Sequence, residues 1–156
     1  MSQATLEKLY AAFARLDAET MAECYADAVE FDDEAFSLRG KREVVGMWTM
    51  LCTTVKAKGM ADWKFHAGPL SANTAHWEPI YRFSATGRMV HNRIDSQFEF
   101  NAQGLITRQR DRFDFWAWAR QALGPMGLLL GWSGFLRNKV RTQARANLDR
   151  FLAKGV

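Results

Sequence analysis

The sequence predicts an α+β fold: a curled antiparallel sheet wrapped around N-terminal helices and followed by an extra C-terminal helical tail. Three observations predict it. Apolar residues recur at three- and four-residue spacing in the first part of the chain. The spacing then switches to strict alternation through the middle. Turn-forming stretches at residues 71–74, 85–87 and 101–104 separate the alternating runs as hairpins.

Leu6, Leu9, Tyr10, Phe13 and Leu16 place an amphipathic helix over residues 3–16. Asp17 is suited to cap a second helix, with Glu19 placed favourably in its first turn and Met21, Cys24, Tyr25 and Ala28 as its buried face. From Val29 the period falls to two: Val29, Phe31 and Asp33 alternate with Glu30 and Asp32, a strand with one carboxylate on its apolar side. After Gly40, the residues Val44, Met47, Trp48, Leu51 and Val55 define a third helix that ends near Lys58 and Gly59.

Strands follow at Trp63 and Phe65, then Trp77 to Phe83, then a long run from Val90 to Phe100, then Leu105 to Phe113, with Pro79 suggesting a bulge or a disturbed edge. If Phe100 pairs with Leu105, Ser96 lies opposite Gln109 and Ile94 opposite Asp111 on the inner face. On the outer face Asp95 then meets Arg110, and His91 meets Asp114. The division expected is a domain over residues 1–114 and a helical extension over 115–156 packed on it.

Composition bounds the function. With 156 residues, 48% hydrophobic, 13% aromatic and three prolines, the chain can bury an aromatic-rich core, which excludes disorder and low-complexity character. Two cysteines, Cys24 and Cys52, make no disulfide framework, and no apolar run of about 20 residues occurs, so a cytoplasmic protein is expected. The net charge of +4 is unevenly spread. Residues 17–34 hold eight acids and no base, whereas residues 137–156 hold six bases against Asp149 alone.

Inward parity collects Asp33, Asn92, Ser96, Gln109 and Asp111 among aromatic neighbours. That is the composition of a small-molecule pocket, and a carboxylate within it acquires a raised pKa suited to proton transfer. Asp33, Asp111 and Ser96 are the catalytic candidates. The ligand-lining candidates are Tyr10, Trp48, Trp63, Trp77, Tyr81 and Asn92, with Phe98, Gln109 and Phe113.

The three histidines, His66, His76 and His91, fall on the opposite parity without paired spacing, so polar surface positions are expected rather than a metal site. No nucleotide-binding or nucleophile motif occurs. Arg108, Arg110 and Arg112 share a strand face beside Asp95, Glu99 and Asp114, and Arg137, Lys139, Arg141 and Arg145 stud the last helix. Solvated faces explain these better than nucleic acid. A weaker expectation is contact of residues 128–145 with a membrane surface, since apolar residues followed by arginines suit an interface.

The order helix, helix, strand, helix, curled sheet resembles the nuclear transport factor 2-like superfamily over residues 5–114. The segments Tyr10-Ala11-Ala12-Phe13 and Tyr25-Ala26-Asp27-Ala28-Val29-Glu30-Phe31-Asp32-Asp33 carry the likeness, and its ketosteroid isomerase and SnoaL-like polyketide cyclase branches are the most similar. The resemblance implies a cone-shaped α+β barrel of the cystatin-like kind, no cofactor, and a homodimer formed through the outer sheet face.

Asp33 falls where ketosteroid isomerases keep their general base. Their helix-one tyrosine falls at Leu9, with Tyr10 one residue late, and their protonated aspartate falls at Ser96, which leaves Tyr10, Asn92 or Gln109 as oxyanion donors. The function expected is cofactor-independent acid–base catalysis, as an isomerase, cyclase or hydrolase, on a hydrophobic ligand in the cone. The alternative is a non-catalytic ligand carrier or dimeric interaction module of the same fold.

Overall fold

The structure, a computed structural model, describes residues 2–155. Helix α1 (Ser2–Ala14) buries Leu6, Leu9, Tyr10, Ala12 and Phe13, the stripe its spacing requires. It ends in a left-handed turn at Leu16, φ +59°, where the Leu16 and Asp17 N–H groups donate to the carbonyls of Phe13 and Ala12. Glycine is the usual residue there. Complete burial of the Leu16 side chain offsets a backbone cost of about 1–2 kcal/mol.

Asp17 caps α2 (Ala18–Ala22), accepting from the Thr20 N–H and hydroxyl. This helix is shorter than expected. Tyr25 and Ala28 belong instead to β1 (Tyr25–Asp32), because apolar residues at 21, 24, 25 and 28 suit either period and pairing with the sheet decides between them. Strand β2 (Ser37–Arg39), too short to leave a periodic signal, returns antiparallel to β1. Helix α3 (Lys41–Ala57) buries Val44, Met47, Trp48 and Cys52 and stops before Gly59, φ +79°.

A short 3-10 turn (Met60–Asp62) leads into β3 (Lys64–Leu70), β4 (Thr74–Arg82), β5 (Met89–His91), β6 (Ile94–Phe100) and β7 (Ile106–Arg112). The tail folds as α4 (Phe115–Leu123), α5 (Pro125–Leu130) and α6 (Gly134–Ala153). The sheet runs β2-β1-β7-β6-β4-β3, with β5 also paired to β4. It is antiparallel except between β1 and β7, which are parallel. No hairpin links those two, so no turn dictates their direction.

Two expectations about register are corrected. The single run from Val90 to Phe100 is broken at Asn92 and Arg93, where β4 changes partner from β5 to β6; Asn92 N–H there donates to the Pro79 carbonyl at 3.1 Å. Pro79 itself stays in the ladder, paired with Phe65, and the irregularity in β3 falls between Ala67 and Leu70.

In the β6–β7 hairpin Phe100 pairs with Ile106 instead of Leu105, and an irregularity between Glu99 and Phe100 adds a second one-residue step: Ser96 lies opposite Asp111, Phe98 opposite Gln109 and Asp95 opposite Arg112. An even shift leaves every side chain on its expected face. Outside, His91 Nε2 meets Glu78 Oε1 at 2.6 Å, and Asp114 caps α4 through the Ala117 N–H.

Helix α6 lies along α3, and its Leu148 and Leu152 join the main core; Gly46 is glycine because a Cβ there would press on Leu152. A second cluster packs Phe115, Trp118, Ala119 and Ala122 of α4 with Val90 and Leu136.

Candidate functional site

Inside the curl of the sheet, alternation brings Ser96 and Phe98 of β6 beside Gln109 and Asp111 of β7, facing Tyr25 of β1, Trp77 of β4, Trp48 of α3 and Tyr10 of α1. All eight are buried. Of their polar side chains, Tyr25, Ser96, Gln109 and Asp111 satisfy one another with the help of the two indoles.

They do so in one direction. An indole N–H can only donate. Trp48 Nε1 gives its hydrogen to Tyr25 Oη at 2.9 Å, so the tyrosine donates onward to Gln109 Oε1 at 2.6 Å, and Gln109 Nε2 donates to Asp111 Oδ1 at 3.0 Å. From the other side Trp77 Nε1 donates to Ser96 Oγ at 2.8 Å, and Ser96 donates to the same Asp111 oxygen at 2.5 Å. Two relays thus end on Oδ1, which leaves Oδ2 as the oxygen that carries a proton.

Burial pushes the Asp111 carboxyl up to about 7, against the opposing pull of Ser96 and Gln109, and the charge of Asp33 adds to the rise. Tyr10 Oη is buried and, among the described residues, makes no hydrogen bond of good geometry, although the Ser96 hydroxyl lies close enough to act on it. Its pKa is raised well above the usual phenol value, chiefly by desolvation and then by the nearby Asp111 charge, with the Ser96 hydroxyl pulling the other way.

Asp33 lies one residue beyond β1 rather than within it. Its Oδ1 folds back to accept from the N–H groups of Ala35 and Phe36 at 2.7 and 2.6 Å, so a turn and not strand parity aims this carboxylate. The residue is partly exposed. Desolvation of the carboxyl nevertheless raises it to about 6, with the two N–H groups and Arg141 pulling the other way. Asp33 in turn bears electrostatically on Tyr81, whose phenol burial lifts to about 12.

The remaining candidates divide by role. Trp48, Trp77, Phe98 and Gln109 join the site described, but Trp63 packs on Phe13 and donates to the Ala14 carbonyl at 2.9 Å. Tyr81 accepts from Trp118 Nε1 at 3.0 Å, and Phe113 lies between the two clusters. Asn92 is buried at the β5–β6 break. Ser96 and Gln109 each give one hydrogen to Asp111 and so position that acid. Two further residues reach the site from unexpected elements: Tyr25 from β1, where helical spacing predicts α2, and Trp118 from the tail, through its bond to Tyr81.

A cleft of about 520 Å³ runs between residues 35–37 and α6, lined by Phe36, Arg141 and Arg145 among others, and one of about 260 Å³ lies on the sheet beside Gln97, Arg108 and Arg110. Neither lining includes Asp111. Among the described residues no cluster of His, Cys, Asp and Glu has a metal-holding arrangement. On the outer face His76 bridges Glu78 and Asp95 at 2.7 and 2.8 Å.

The model of the SnoaL-like domain family matches residues 6–109, from within α1 to Gln109 in β7, two residues short of Asp111. The chain belongs to the SnoaL-like domain family. It is thereby a member of the nuclear transport factor 2-like superfamily.

Solved structures agree on the fold. A polyketide cyclase candidate from Silicibacter sp. TM1040 is 18% identical, with a TM-score of 0.56 over 76% of this chain and 93% of its own. An epoxide hydrolase of M. tuberculosis is 18% identical, with a TM-score of 0.55 over 83% and 95%. An uncharacterised cystatin-like protein of Silicibacter pomeroyi is 12% identical, with a TM-score of 0.54 over 96% and 90%. No curated protein matches the sequence. At these identities the likeness is one of fold.

Proposed function

We propose that this SnoaL-like domain is a cofactor-independent acid–base enzyme, an isomerase, cyclase or hydrolase of a hydrophobic carbonyl compound or related ligand taken up inside the curled sheet. The observation that carries the reading is the convergence of two donor relays on one oxygen of a buried carboxyl, beside a buried tyrosine hydroxyl that lacks a well-formed hydrogen bond among the described residues. A buried polar group left unpaired costs about 1–3 kcal/mol, and a ligand oxygen accepting from Tyr10 would relieve that cost.

Roles follow from the charges. With its carboxyl near 6, Asp33 is mainly ionised at neutral pH and would take a proton α to the ligand carbonyl. With its carboxyl near 7, Asp111 holds its proton for much of the time, and with Tyr10 it would donate to the oxygen on which charge develops. Returning the proton to another carbon isomerises the ligand; attack of the enolate on a second carbonyl cyclises it.

The outer sheet face, where Glu99 and Arg108 lie 3.8 Å apart, would pair two copies into a homodimer. Cys24 and Cys52, both buried free thiols, suit the reducing cytoplasm. No helix among the described residues is long and apolar enough to cross a membrane.

The test is exchange of the α-hydrogens of 2-tetralone in D2O, followed by proton NMR. The protein should accelerate exchange, Asp33→Asn should abolish the acceleration, and Tyr10→Phe should reduce it at least tenfold. No acceleration, or full activity in folded Asp33→Asn, would overturn the reading.

One observation favours a second reading, a ligand carrier or interaction module. The rings of Phe13, Trp48 and Trp77 pack at centroid distances of 5.1 and 5.3 Å between α1, α3 and the sheet, filling interior space. That reading expects no exchange from any variant.

A further inference from the structure

The tail carries an apolar knuckle that its own fold turns outward. Helix α5 lies against α4 by its glycines: a Cβ at Gly127 would collide with the Ala119 carbonyl, and one at Gly131 would come within 2.9 Å of Ala119 Cβ. With the small residues inside, the large ones face out. Met126, Leu129, Trp132 and Phe135, spaced three apart, are 55%, 68%, 75% and 72% exposed, and Leu128 and Leu130 flank them. A stretch this apolar on a surface marks an interaction.

The backbone of the knuckle is prepared for a medium without water. The last carbonyls of a short helix ordinarily rely on solvent. Here Gly127 O accepts from the Gly131 N–H, Leu128 O from Trp116 Nε1 at 3.2 Å, Leu129 O from Trp132 Nε1 at 2.8 Å, and Leu130 O from the Ser133 hydroxyl at 2.6 Å. All four carbonyls are satisfied within the chain, which lowers the cost of moving this end of the helix into a less hydrated interface.

Charge names the occupant. Residues 115–148 contain no acidic side chain and five basic ones, Arg120, Arg137, Lys139, Arg141 and Arg145. Arg137 and Arg145 are paired with Glu34 and Glu43, and Arg141 bonds to backbone carbonyls. Exposed Arg120, stacked over the Trp116 ring at 4.2 Å, and exposed Lys139, one turn beyond Phe135, remain beside the apolar stripe. Apolar side chains edged by cations suit the interface of an anionic bilayer.

We infer that the α5–α6 knuckle, with Met126, Leu129, Trp132 and Phe135 at its crest and Arg120 and Lys139 at its edge, seats the protein on anionic lipid surfaces. The insertion is interfacial. The rings and leucines enter the acyl boundary while the bases meet headgroup phosphates.

The full chain is mixed with vesicles of phosphatidylcholine and phosphatidylglycerol at 7:3, in low salt, and sedimented. Binding is expected, with a blue shift of tryptophan emission and protection from acrylamide as Trp132 leaves water. Leu129→Ser combined with Phe135→Ser, at two exposed positions, should weaken binding at least tenfold while circular dichroism and the melting temperature stay unchanged. Lys139→Glu should weaken it several-fold. Failure of the wild-type protein to sediment with these vesicles, or equal binding by the double variant, would overturn the inference. So would a wild-type dimer that the double variant converts to monomer without any vesicle binding, which would make the occupant a second copy.

Discussion

Ser96 donates its hydroxyl hydrogen to Asp111 Oδ1 across 2.5 Å while accepting from Trp77 Nε1 at 2.8 Å. The indole at the head of the chain can only donate, so the hydroxyl has one orientation, and the carboxyl oxygen it meets is an acceptor in either charge state. The relay through Trp48, Tyr25 and Gln109 ends on the same atom. Sheet register makes this possible, because Ser96 and Asp111 are directly opposed across β6 and β7.

The first prediction concerns pH. Burial raises Asp111 from an ordinary 3.8 to about 7. Below about pH 4 the folded and unfolded chains are both protonated there, and nothing is lost. As pH rises the unfolded chain ionises first, so stability falls through about pH 7, by on the order of 4 kcal/mol. Asp111→Asn removes that loss, leaving the smaller slope from Asp33 and the contributions of the paired surface groups, and should be the more stable protein at pH 8. Urea midpoints at pH 4, 6 and 8 measure this. A wild-type midpoint that does not change with pH would contradict it.

The second concerns Tyr25. Tyr25→Phe leaves Trp48 Nε1 and Gln109 Oε1 facing each other across a methyl-sized gap with no hydroxyl between them. Losing both bonds in the interior should cost about 2–3 kcal/mol in urea unfolding. Adding Trp48→Phe should cost less than the sum of the single changes, since one orphan disappears with its partner. Additive losses would mean that the relay is not a unit.

Much of this arrangement was legible in the sequence, for a physical reason. The faces of β6 and β7 follow from a two-residue period that an even slip of register does not disturb, so Ser96, Gln109 and Asp111 were placed inward although their partners were not. The stripe of α1 and the capping role of Asp17 depend on nearest neighbours and read directly. Tyr25 did not, because residues 21–28 satisfy helix and strand spacing alike and only the parallel pairing with β7 selects the strand. Nor did the aim of Asp33, which a side-chain turn beyond the strand fixes in place of strand parity.

Arg141 supplies the third prediction. Its Nη1 donates to the carbonyls of Asp33 and Glu34 at 3.1 Å each, tying α6 to the turn that carries the proposed base. Its charge also holds the Asp33 carboxyl lower than burial alone would. Arg141→Gln should therefore raise the Asp33 pKa above its present value near 6 and move the acid limb of any pH–rate profile upward. Carboxyl carbon NMR titration reads this directly; an unchanged Asp33 titration would detach the tail from the site.

The last prediction sets two glycines of the tail against each other. Gly127 lies where α5 touches α4, and a Cβ there would collide with the Ala119 carbonyl; since the obstacle is backbone, no rotamer can relieve it and the two helices must separate. Gly127→Ala should cost about 1–3 kcal/mol and loosen the cap that Trp116 places on Leu128.

Gly134 opens α6 with nothing within 4 Å of its would-be Cβ and an ordinary negative φ. Gly134→Ala should stabilise by about 0.4–1 kcal/mol, by restricting the unfolded chain. Thermal melts of the two variants, side by side, separate contact from chain entropy. If both alanines are neutral, α5 does not rest on α4 through its glycines, and the outward turn of Met126 and Leu129 loses its cause.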